Sequence, residues 1–317
     1  MTLTELKYIV AVAREKHFGR AAEACFVSQP TLSVAIKKLE DELELKLFER
    51  SANEVSVTPL GEEIVRQAQS VLEQAAAIKE IAKRGKDPLA GPLRLGVIYT
   101  IGPYLLPDLV RQAIARTPQM PLMLQENFTV RLLEMLRTGE IDCAIMAEPF
   151  PDTGLAIAPL YDEPFLAAVP SNHPLAELKT ITAEVLKQET MLLLGTGHCF
   201  RDHVLEVCPE FARFSSDAEG IRKSFEGSSL ETIKHMVAAG MGVTLVPRLS
   251  VPKEAFASRP KRRSDDQAFV KYIPFDGDPP SRRVVLAWRR SFTRYEAIAA
   301  LRNAIYACEL PGVKRLS

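Results

Sequence analysis

The first sixty residues alternate apolar and polar positions with the spacing of short helices. Apolar side chains recur every three or four residues over Leu3–Ala13 and again over Leu32–Leu43, which predicts two amphipathic helices. A short helix is expected between them over Arg20–Ala24, and Leu47–Pro59 predicts a two-stranded wing. Helices, turn and wing in this order are typical of a DNA-reading domain, which we assign to residues 1–58.

The residues that begin the third helix are the expected DNA contacts. Ser28 is placed to cap this helix, and Pro30 is tolerated in its first turn, where a backbone N–H has no partner. In a helix-turn-helix this end enters the major groove, where hydroxyl and amide groups bond base edges or phosphates. The predicted contacts, which include two lysines for phosphates and an arginine at the wing, are Ser28, Gln29, Pro30, Thr31, Ser33, Lys37, Lys38 and Arg50.

A single long helix is expected over residues 59–87. Its apolar positions from Ile64 to Ala82 alternate steps of four and three, which is the spacing of a heptad seam. Such a helix is roughly 40 Å long, and the glycine and proline of Arg84–Pro88 end it. A seam of this length at a domain boundary favours self-association over packing on its own domain.

Beyond residue 91 the pattern changes to short strands that alternate with helices. This order predicts an α/β domain with a parallel sheet. The predicted strands are Leu93–Val97, Pro121–Gln125, Ile141–Met146, Leu166–Val169, Met191–Leu194, Val243–Val246 and Val284–Trp288. The predicted helices are Ile101–Arg116, Val130–Arg137, Ser229–Ala239 and Phe292–Ala307.

Composition narrows the classes of protein to consider. The 317 residues are 47% hydrophobic and 25% charged with a net charge of zero, so a DNA-binding role must depend on local clustering. Neither a signal peptide nor a membrane-spanning apolar run is seen. Five scattered cysteines favour the reducing cytoplasm, where a disulfide is transient or regulatory. The spacing of metal ligands is not found, and we expect neither a metal nor a cofactor.

Cys199 has the surroundings of a reactive thiol. It follows Gly195–Gly197, His198 precedes it, Arg201 lies two residues on, and a helix is expected to begin there. Nearby cations and a helix N-terminus favour the thiolate, which is the form that attacks peroxide. A second thiol traps the resulting sulfenic acid, and Cys208 is nine residues away.

The spacing of these two cysteines links oxidation to a change of shape. If residues 199–208 are helical, the two Cα atoms lie roughly 13 Å apart, whereas a disulfide requires about 7 Å or less. The bond therefore forms only when the segment unwinds. Cys25, Cys143 and Cys308 are interpreted as packing residues.

The N-terminal motifs resemble those of LysR-type transcriptional regulators. The matching residues are Ala21-Ala22, Val27–Ser33, Ile36–Glu40 and Leu47–Arg50, and the similarity runs over essentially the full length. The resemblance implies a homotetramer, a dimer of dimers, that binds double-stranded promoter DNA and acts on RNA polymerase, and it implies no enzymatic activity.

The same resemblance implies the domain boundaries. A winged helix-turn-helix (residues 1–58) is followed by a linker and dimerisation helix (residues 59–87). The regulatory domain (residues 92–307) is then a two-lobed α/β effector domain like a periplasmic binding protein. Lobe I would comprise about 92–162 and 268–307, and lobe II about 163–267.

The thiol segment is similar to that of the hydrogen-peroxide-sensing members of this family. The likeness extends over Gly197–Asp202 with Cys208, Thr100–Pro107, Asp162–Pro164, Ser229–Thr232 and Met236–Gly240. It implies that Thr100 and Thr129 bind peroxide, and that Asp202 organises hydrogen bonds. It also implies that Arg283, chosen from the Arg282-Arg283 pair, stabilises the thiolate together with His198 and Arg201. Segments 209–227 and 258–267 look longer than in such relatives.

Three functions are compatible with these patterns. The leading hypothesis is a transcription factor switched by peroxide through oxidation of Cys199 and a Cys199–Cys208 disulfide, and reset by thioredoxin or glutaredoxin. The alternative is a LysR-type regulator with a small metabolite in the cleft between the lobes, the thiols being incidental. The third is a thiol peroxidase, against which the DNA-reading head and the lack of a recognisable reductant site argue.

Overall fold

The computed structural model describes residues 1–50, 55–83, 89–151, 154–210, 226–227, 229–256 and 269–316. The chain divides into two compact units. The N-terminal unit comprises residues 1–88 and also includes residues 137–140 and 290–294, and the regulatory unit comprises the remaining residues. The predicted linker residues 84–88 and most of the longer segments 209–227 and 258–267 lie outside the described residues.

In the described part of the N-terminal unit, short helices, a wing and a long helix follow one another in the predicted order. The second helix begins two residues before its predicted start, because the His17 ring accepts the backbone N–H groups of Gly19 and Arg20 and so caps it. The long helix has 25 residues and is therefore about 37 Å in length. The elements are α1 (Leu3–Glu15), α2 (Phe18–Ala24), α3 (Gln29–Leu43), β1 (Phe48–Arg50), β2 (Val55–Val57) and α4 (Pro59–Lys83).

Burial of one apolar stripe on each helix holds this unit together. Ile9, Val12, Leu32 and Ile36 are fully buried in its core, and each such side chain stabilises the fold by about 1.5–3 kcal/mol. The predicted start of α3 is confirmed, since the Ser28 hydroxyl accepts the backbone N–H of the third helical residue.

A buried carboxylate fixes the wing to the end of α3. Glu40 is 6% exposed, and its Oε1 accepts the backbone N–H groups of Leu47 at 2.8 Å and Phe48 at 3.2 Å. Its other oxygen accepts from Lys46 at 3.2 Å. The carboxylate therefore satisfies backbone donors at the entrance to β1, and the position of the wing depends on it.

The regulatory unit is built on a mixed sheet, which corrects the expectation of a parallel one. β3 lies between β4 and β5 and runs parallel to both, whereas β11 pairs antiparallel with β5 and β6. The strands are β3 (Leu93–Ile98), β4 (Leu122–Asn127), β5 (Cys143–Ala147), β6 (Leu155–Pro170), β7 (Leu193–Leu194), β8 (Glu226–Gly227), β9 (Thr244–Pro247), β10 (Val270–Pro274), β11 (Ser281–Arg289) and β12 (Lys314–Arg315).

The long strand β6 passes from one half of the regulatory unit to the other. Its first part pairs with β11, and its last residues pair with β9 and β10. In the β10 ladder Val270 lies opposite Pro170 and Pro274 lies opposite Leu166. Residues 270–274, which were predicted to belong to lobe I, are thus hydrogen-bonded to the part of β6 that was predicted to belong to lobe II. The chain returns to lobe I between β10 and β11.

Helices cover this sheet close to their predicted positions. Ser229 caps its helix as predicted, because its hydroxyl accepts the N–H of Thr232 at 3.1 Å. Across the residues described, no helix is long and apolar enough to span a membrane. The helices are α5 (Gly102–Arg116), α6 (Thr129–Thr138), α7 (Ala183–Leu186), α8 (Cys199–Val207), α9 (Leu230–Ala238) and α10 (Tyr295–Ala307), and shorter 3₁₀ helices cover Pro174–Glu177, Arg248–Ser250 and Lys253–Phe256.

Candidate functional site

Seven of the eight predicted DNA-contacting residues belong to α3 or its N-cap, on the exposed side of the helix, whereas Arg50 belongs to β1. Gln29, Pro30 and Thr31 are exposed, as are Lys37 and Lys38 farther along the helix. Ser33 is half-buried. Ser28 is exposed, but its hydroxyl accepts the capping hydrogen bond of α3. The side chain of Arg50 lies outside the described part of the chain.

An apolar residue that the prediction omitted shares this face. Val34 lies one turn beyond Pro30 and is 68% exposed. Its side chain is therefore presented with the polar groups and not to the core. The signal was available in the sequence, since Val34 falls between the core positions Leu32 and Ile36.

The two thiols occupy opposite ends of α8. Cys199 is the first helical residue and half-buried, while Cys208 is the C-cap and is 0% exposed. Both are free thiols. The expected helix between them is confirmed, and nine residues of helical rise correspond to a Cα separation of roughly 13 Å. Burial, followed by the nearby charge of Glu210, raises the pKa of the Cys208 thiol to about 11.

Cys199 borders a small cavity lined by both polar and apolar side chains. Its volume is about 10 Å³, close to the minimum of roughly 10–15 Å³ that admits one water molecule. A metabolite-sized effector, which needs about 300 Å³ or more, is too large for this cavity. The lining residues are Ile98, Tyr99, Thr100, Asn127, Phe128, Thr129, Gly197, His198 and Cys199.

Both predicted peroxide-binding threonines are in this lining, in different hydrogen-bonding states. Thr129 is 7% exposed, and its hydroxyl has no hydrogen-bond partner within the described residues. Thr100 is 3% exposed, and its Oγ1 accepts from Arg282 Nη1 at 2.8 Å. Because Thr100 Oγ1 already accepts one bond, its own hydrogen is free to be directed elsewhere.

Arg282, and not Arg283, is the arginine connected to the cavity. Its guanidinium is 0% exposed and bonds Glu163 Oε2 through Nε at 2.9 Å and Nη2 at 2.8 Å. It also lies 5.2 Å from the ring centroid of Phe200, the residue next to Cys199. Glu163 in turn accepts the backbone N–H of Leu249 at 2.8 Å. The buried cation is thus paired with a buried carboxylate and hydrogen-bonded to Thr100, which lines the cavity.

Arg283 faces the other way, which corrects the choice made from the sequence. Its side chain is 49% exposed and pairs with Asp162 through Nε at 2.8 Å. Successive residues of a strand point to opposite faces, and β11 places Arg282 opposite Glu163 and Arg283 opposite Asp162. Arg283 is therefore on the face away from Thr100.

The residues that flank Cys199 have different partners. The His198 ring is 7% exposed and packs edge-on against Tyr99 and Phe128, with centroids 5.9 Å and 4.8 Å away. Arg201 Nη1 donates to the Leu194 carbonyl at 2.9 Å. Asp202 is exposed in the first turn of α8. Their predicted roles at the thiolate stay predictions.

An aromatic cluster on the buried face of α8 was not predicted from the sequence. Phe200, His203 and Phe165 form an aromatic cluster with centroids 5.1–6.4 Å apart. Phe200 and His203 are three residues apart and so share one helix face, which was the available signal. Within the described ranges, no group of three or more His, Cys, Asp or Glu side chains is placed to hold a metal ion.

Comparison with known families gives consistent matches over most of the chain. Residues 3–62 match the bacterial regulatory helix-turn-helix protein, lysR family, and residues 86–307 match the LysR substrate binding domain. The DNA-binding transcriptional dual regulator OxyR of Escherichia coli K12 is 39% identical over 302 residues, covering 94% of each chain. The hydrogen peroxide-inducible genes activator of Pectobacterium carotovorum is also 39% identical, covering 94% of this chain and 95% of its own.

Solved structures agree with these sequence matches. Full-length OxyR from Pseudomonas aeruginosa, with aspartate in place of a cysteine, is 49% identical with a TM-score of 0.75, covering 98% of this chain and 96% of the other. Reduced OxyR from Neisseria meningitidis is 41% identical with a TM-score of 0.64, covering 71% and 99%. An H2O2-bound OxyR mutant from Corynebacterium glutamicum is 34% identical with a TM-score of 0.61, covering 96% and 91%.

Proposed function

The chain belongs to the LysR family of bacterial transcriptional regulators, and from that premise we propose that it senses hydrogen peroxide through Cys199. The observation that carries this proposal is the position of one thiol at a small cavity lined by Thr100 and Thr129, with a second thiol at the far end of the same helix. The similarity to peroxide-inducible gene activators supports the same function.

The first chemical step is oxidation of Cys199. The thiolate sulfur attacks one oxygen of H2O2, an S–O bond forms and the O–O bond breaks. Sulfur is oxidised by two electrons to the sulfenic acid, and the departing hydroxide takes up a proton to become water. Thr100 and Thr129 are proposed to hold the peroxide oxygens, because both hydroxyls line the cavity and have a hydrogen to donate.

Arg282 takes the role that the sequence assigned to Arg283. Its guanidinium, which Glu163 holds in place, lies beside Phe200 and donates to the Thr100 hydroxyl at the cavity wall. A buried cation favours an anionic sulfur and stabilises the hydroxide that leaves. His198, Arg201 and Asp202 are proposed to complete the electrostatic surroundings of Cys199.

The second step is formation of the disulfide. The Cys208 thiolate attacks Sγ of the Cys199 sulfenic acid, the S–S bond forms, and the S–O bond breaks with loss of hydroxide, which takes up a proton to become water. The helical separation of roughly 13 Å exceeds the Cα distance of about 7 Å that a disulfide tolerates. Opening of α8 therefore has to precede or accompany this bond, and oxidation becomes a conformational signal.

The signal is proposed to act on promoter DNA. Repacking of the regulatory domains within a homotetramer, a dimer of dimers joined through α4, would change the spacing of the DNA-reading heads and the contact with RNA polymerase. A dithiol reductant such as thioredoxin or glutaredoxin would reset the switch by thiol–disulfide exchange. The corresponding location is the cytoplasm, whose reducing pool keeps both thiols free between signals.

Peroxide-dependent DNA footprinting of cysteine variants tests this function. We expect peroxide to change the footprint of the unmodified protein and of a Cys308→Ala control, which also removes a buried thiol. Cys199→Ser abolishes the change, and Cys208→Ser traps a sulfenic acid without a disulfide. A peroxide response that survives Cys199→Ser rules out the proposed chemistry and leaves the metabolite-effector alternative.

A further inference from the structure

His203 connects the thiol helix to the strands beneath it. It lies one turn beyond Cys199 on α8 and is 4% exposed. Its Nε2 is 2.7 Å from the backbone carbonyl oxygen of Glu148, which belongs to the connection between β5 and β6. The neighbouring backbone N–H of Glu148 donates to the carbonyl of Arg283 in β11 at 2.9 Å. The imidazole therefore attaches α8 to an acceptor that β11 holds in place.

The chemistry of this contact fixes which ring nitrogen must carry a hydrogen. A carbonyl oxygen only accepts, so Nε2 must carry a hydrogen. The other ring nitrogen, Nδ1, is buried without a hydrogen-bond partner among the described residues. In a neutral ring Nδ1 carries only a lone pair. In a protonated ring Nδ1 would carry an N–H that has no acceptor, and the ring would carry a buried positive charge.

We propose that His203 is a positioning residue that holds α8 in its helical, reduced form only while its imidazole is neutral. This inference rests on the proposed function, because it names the contact that must break before Cys208 reaches Cys199. The aromatic cluster of Phe165, Phe200 and His203 adds apolar contacts to the same anchor. The contact acts on the helix and touches neither peroxide nor sulfur.

The charges around the ring oppose one another. Burial has the largest effect and lowers the pKa of His203; Arg282 on β11 lowers it as well. The hydrogen bond to Glu148 and the acidic Glu206 and Asp202 on α8 itself raise it. In the opened segment the ring has its ordinary pKa of about 6.5, so the opened form binds the proton more readily. The stabilisation from His203 is thus fully present above about pH 6.5 and is lost as the pH falls through the lower value of the folded form.

Hydrogen–deuterium exchange of reduced full-length protein isolates this effect from any peroxide chemistry. The readout is the protection of amides in α8, corrected for intrinsic exchange, between about pH 5.5 and pH 8. We expect the unmodified protein to lose protection by about tenfold across this range as the ring takes up a proton. In His203→Gln the amide N–H reaches the Glu148 carbonyl and does not titrate. We therefore expect α8 of this variant to keep its amide protection at every pH in the range.

Two further variants complete the comparison. His203→Leu keeps the bulk and lacks the donor, so α8 protection falls by about tenfold at every pH. His235→Gln is the matched control, since it makes the same substitution at an exposed histidine on α9. We expect this variant to keep the pH dependence of α8 protection. Circular dichroism of each variant verifies that the fold is kept. Equal pH dependence in His203→Gln and the unmodified protein overturns the inference.

Disulfide closure after a single addition of peroxide separates this inference from the proposed function. If peroxide yields no Cys199–Cys208 bridge in any variant, the proposed function fails while the exchange data still decide the role of His203. If the bridge forms, His203→Leu closes it about tenfold faster than the unmodified protein, and His203→Gln closes it at the unmodified rate. Equal closure rates in all three would contradict the positioning role.

Discussion

Arg282 donates a 2.8 Å hydrogen bond to the hydroxyl of Thr100, although 182 positions separate the two residues in the chain. The bond joins the antiparallel strand β11 to the turn after β3 at the wall of the cavity beside Cys199. Because the hydroxyl accepts from the guanidinium, its hydrogen is available to a ligand in the cavity. In the proposed mechanism the guanidinium, itself paired with Glu163, orients this donor toward the thiol site.

The neighbouring arginines should differ sharply in their effect on oxidation. Arg282→Lys is expected to slow the reaction of Cys199 with peroxide by about ten- to a hundredfold, because a charge-assisted hydrogen bond of roughly 1.5–3 kcal/mol is lost. Arg283→Lys, the matched control, changes an exposed pair and leaves the rate within about twofold. Stopped-flow measurement of the second-order rate constant checks both. Comparable slowing by the two substitutions would mean that the arginine is wrongly assigned.

Removal of the Thr129 hydroxyl should weaken peroxide binding without weakening the fold. Thr129→Val preserves the side-chain volume and removes a buried hydroxyl that has no partner in the described structure. Unfolding free energy is therefore expected to stay the same or to rise by about 1 kcal/mol, while oxidation at low peroxide slows about tenfold. Thermal unfolding and peroxide titration give the two values. A variant that is destabilised but oxidised at the normal rate would show that the hydroxyl serves the fold alone.

Thiol reactivity in the reduced protein should follow burial. At pH 8 a thiol with a pKa of about 11 is ionised in roughly one molecule in a thousand, so Cys208 is expected to be alkylated much later than Cys199. Raising the pH toward 11 should narrow the difference, since the thiolate fraction of Cys208 increases about tenfold per unit. Time-resolved peptide mass spectrometry after iodoacetamide measures the order. Faster labelling of Cys208 would indicate that α8 is open before oxidation.

The buried Glu40 should control the wing. Glu40→Ala leaves the backbone N–H groups of Leu47 and Phe48 without their acceptor. We expect a loss of about 1–3 kcal/mol in unfolding free energy and weaker DNA binding. Asp41→Ala changes an exposed acid one residue away and is the control. Calorimetry and gel-shift titration provide the measurements, and unchanged stability and DNA affinity in Glu40→Ala would refute the role given to this carboxylate.

The sequence was sufficient for features set by local periodicity and capping. The start of α3 at Ser28 and that of α9 at Ser229 follow from N-cap hydroxyls, and α8 follows from the break at Gly197. These signals lie within a few residues of the element they define, so one chain is enough to interpret them.

Features set by long-range pairing were beyond the sequence. Which of Arg282 and Arg283 faces inward depends on the register of β11 against β6, and a shift of one residue exchanges the two. The assignment of residues 270–274 depends on a ladder with β6 that no local pattern specifies. Glu40 and His203 are buried against backbone groups of other elements. The residues next to them along the chain therefore do not indicate that either side chain is buried.

The bond between the sulfurs of Cys199 and Cys208 cannot form while α8 persists. Disulfide mapping combined with amide exchange, on the same full-length sample before and after one equivalent of peroxide, measures both events together. We expect a Cys199–Cys208 bridge together with loss of amide protection across residues 199–207. A bridge that forms with this protection unchanged would contradict this expectation.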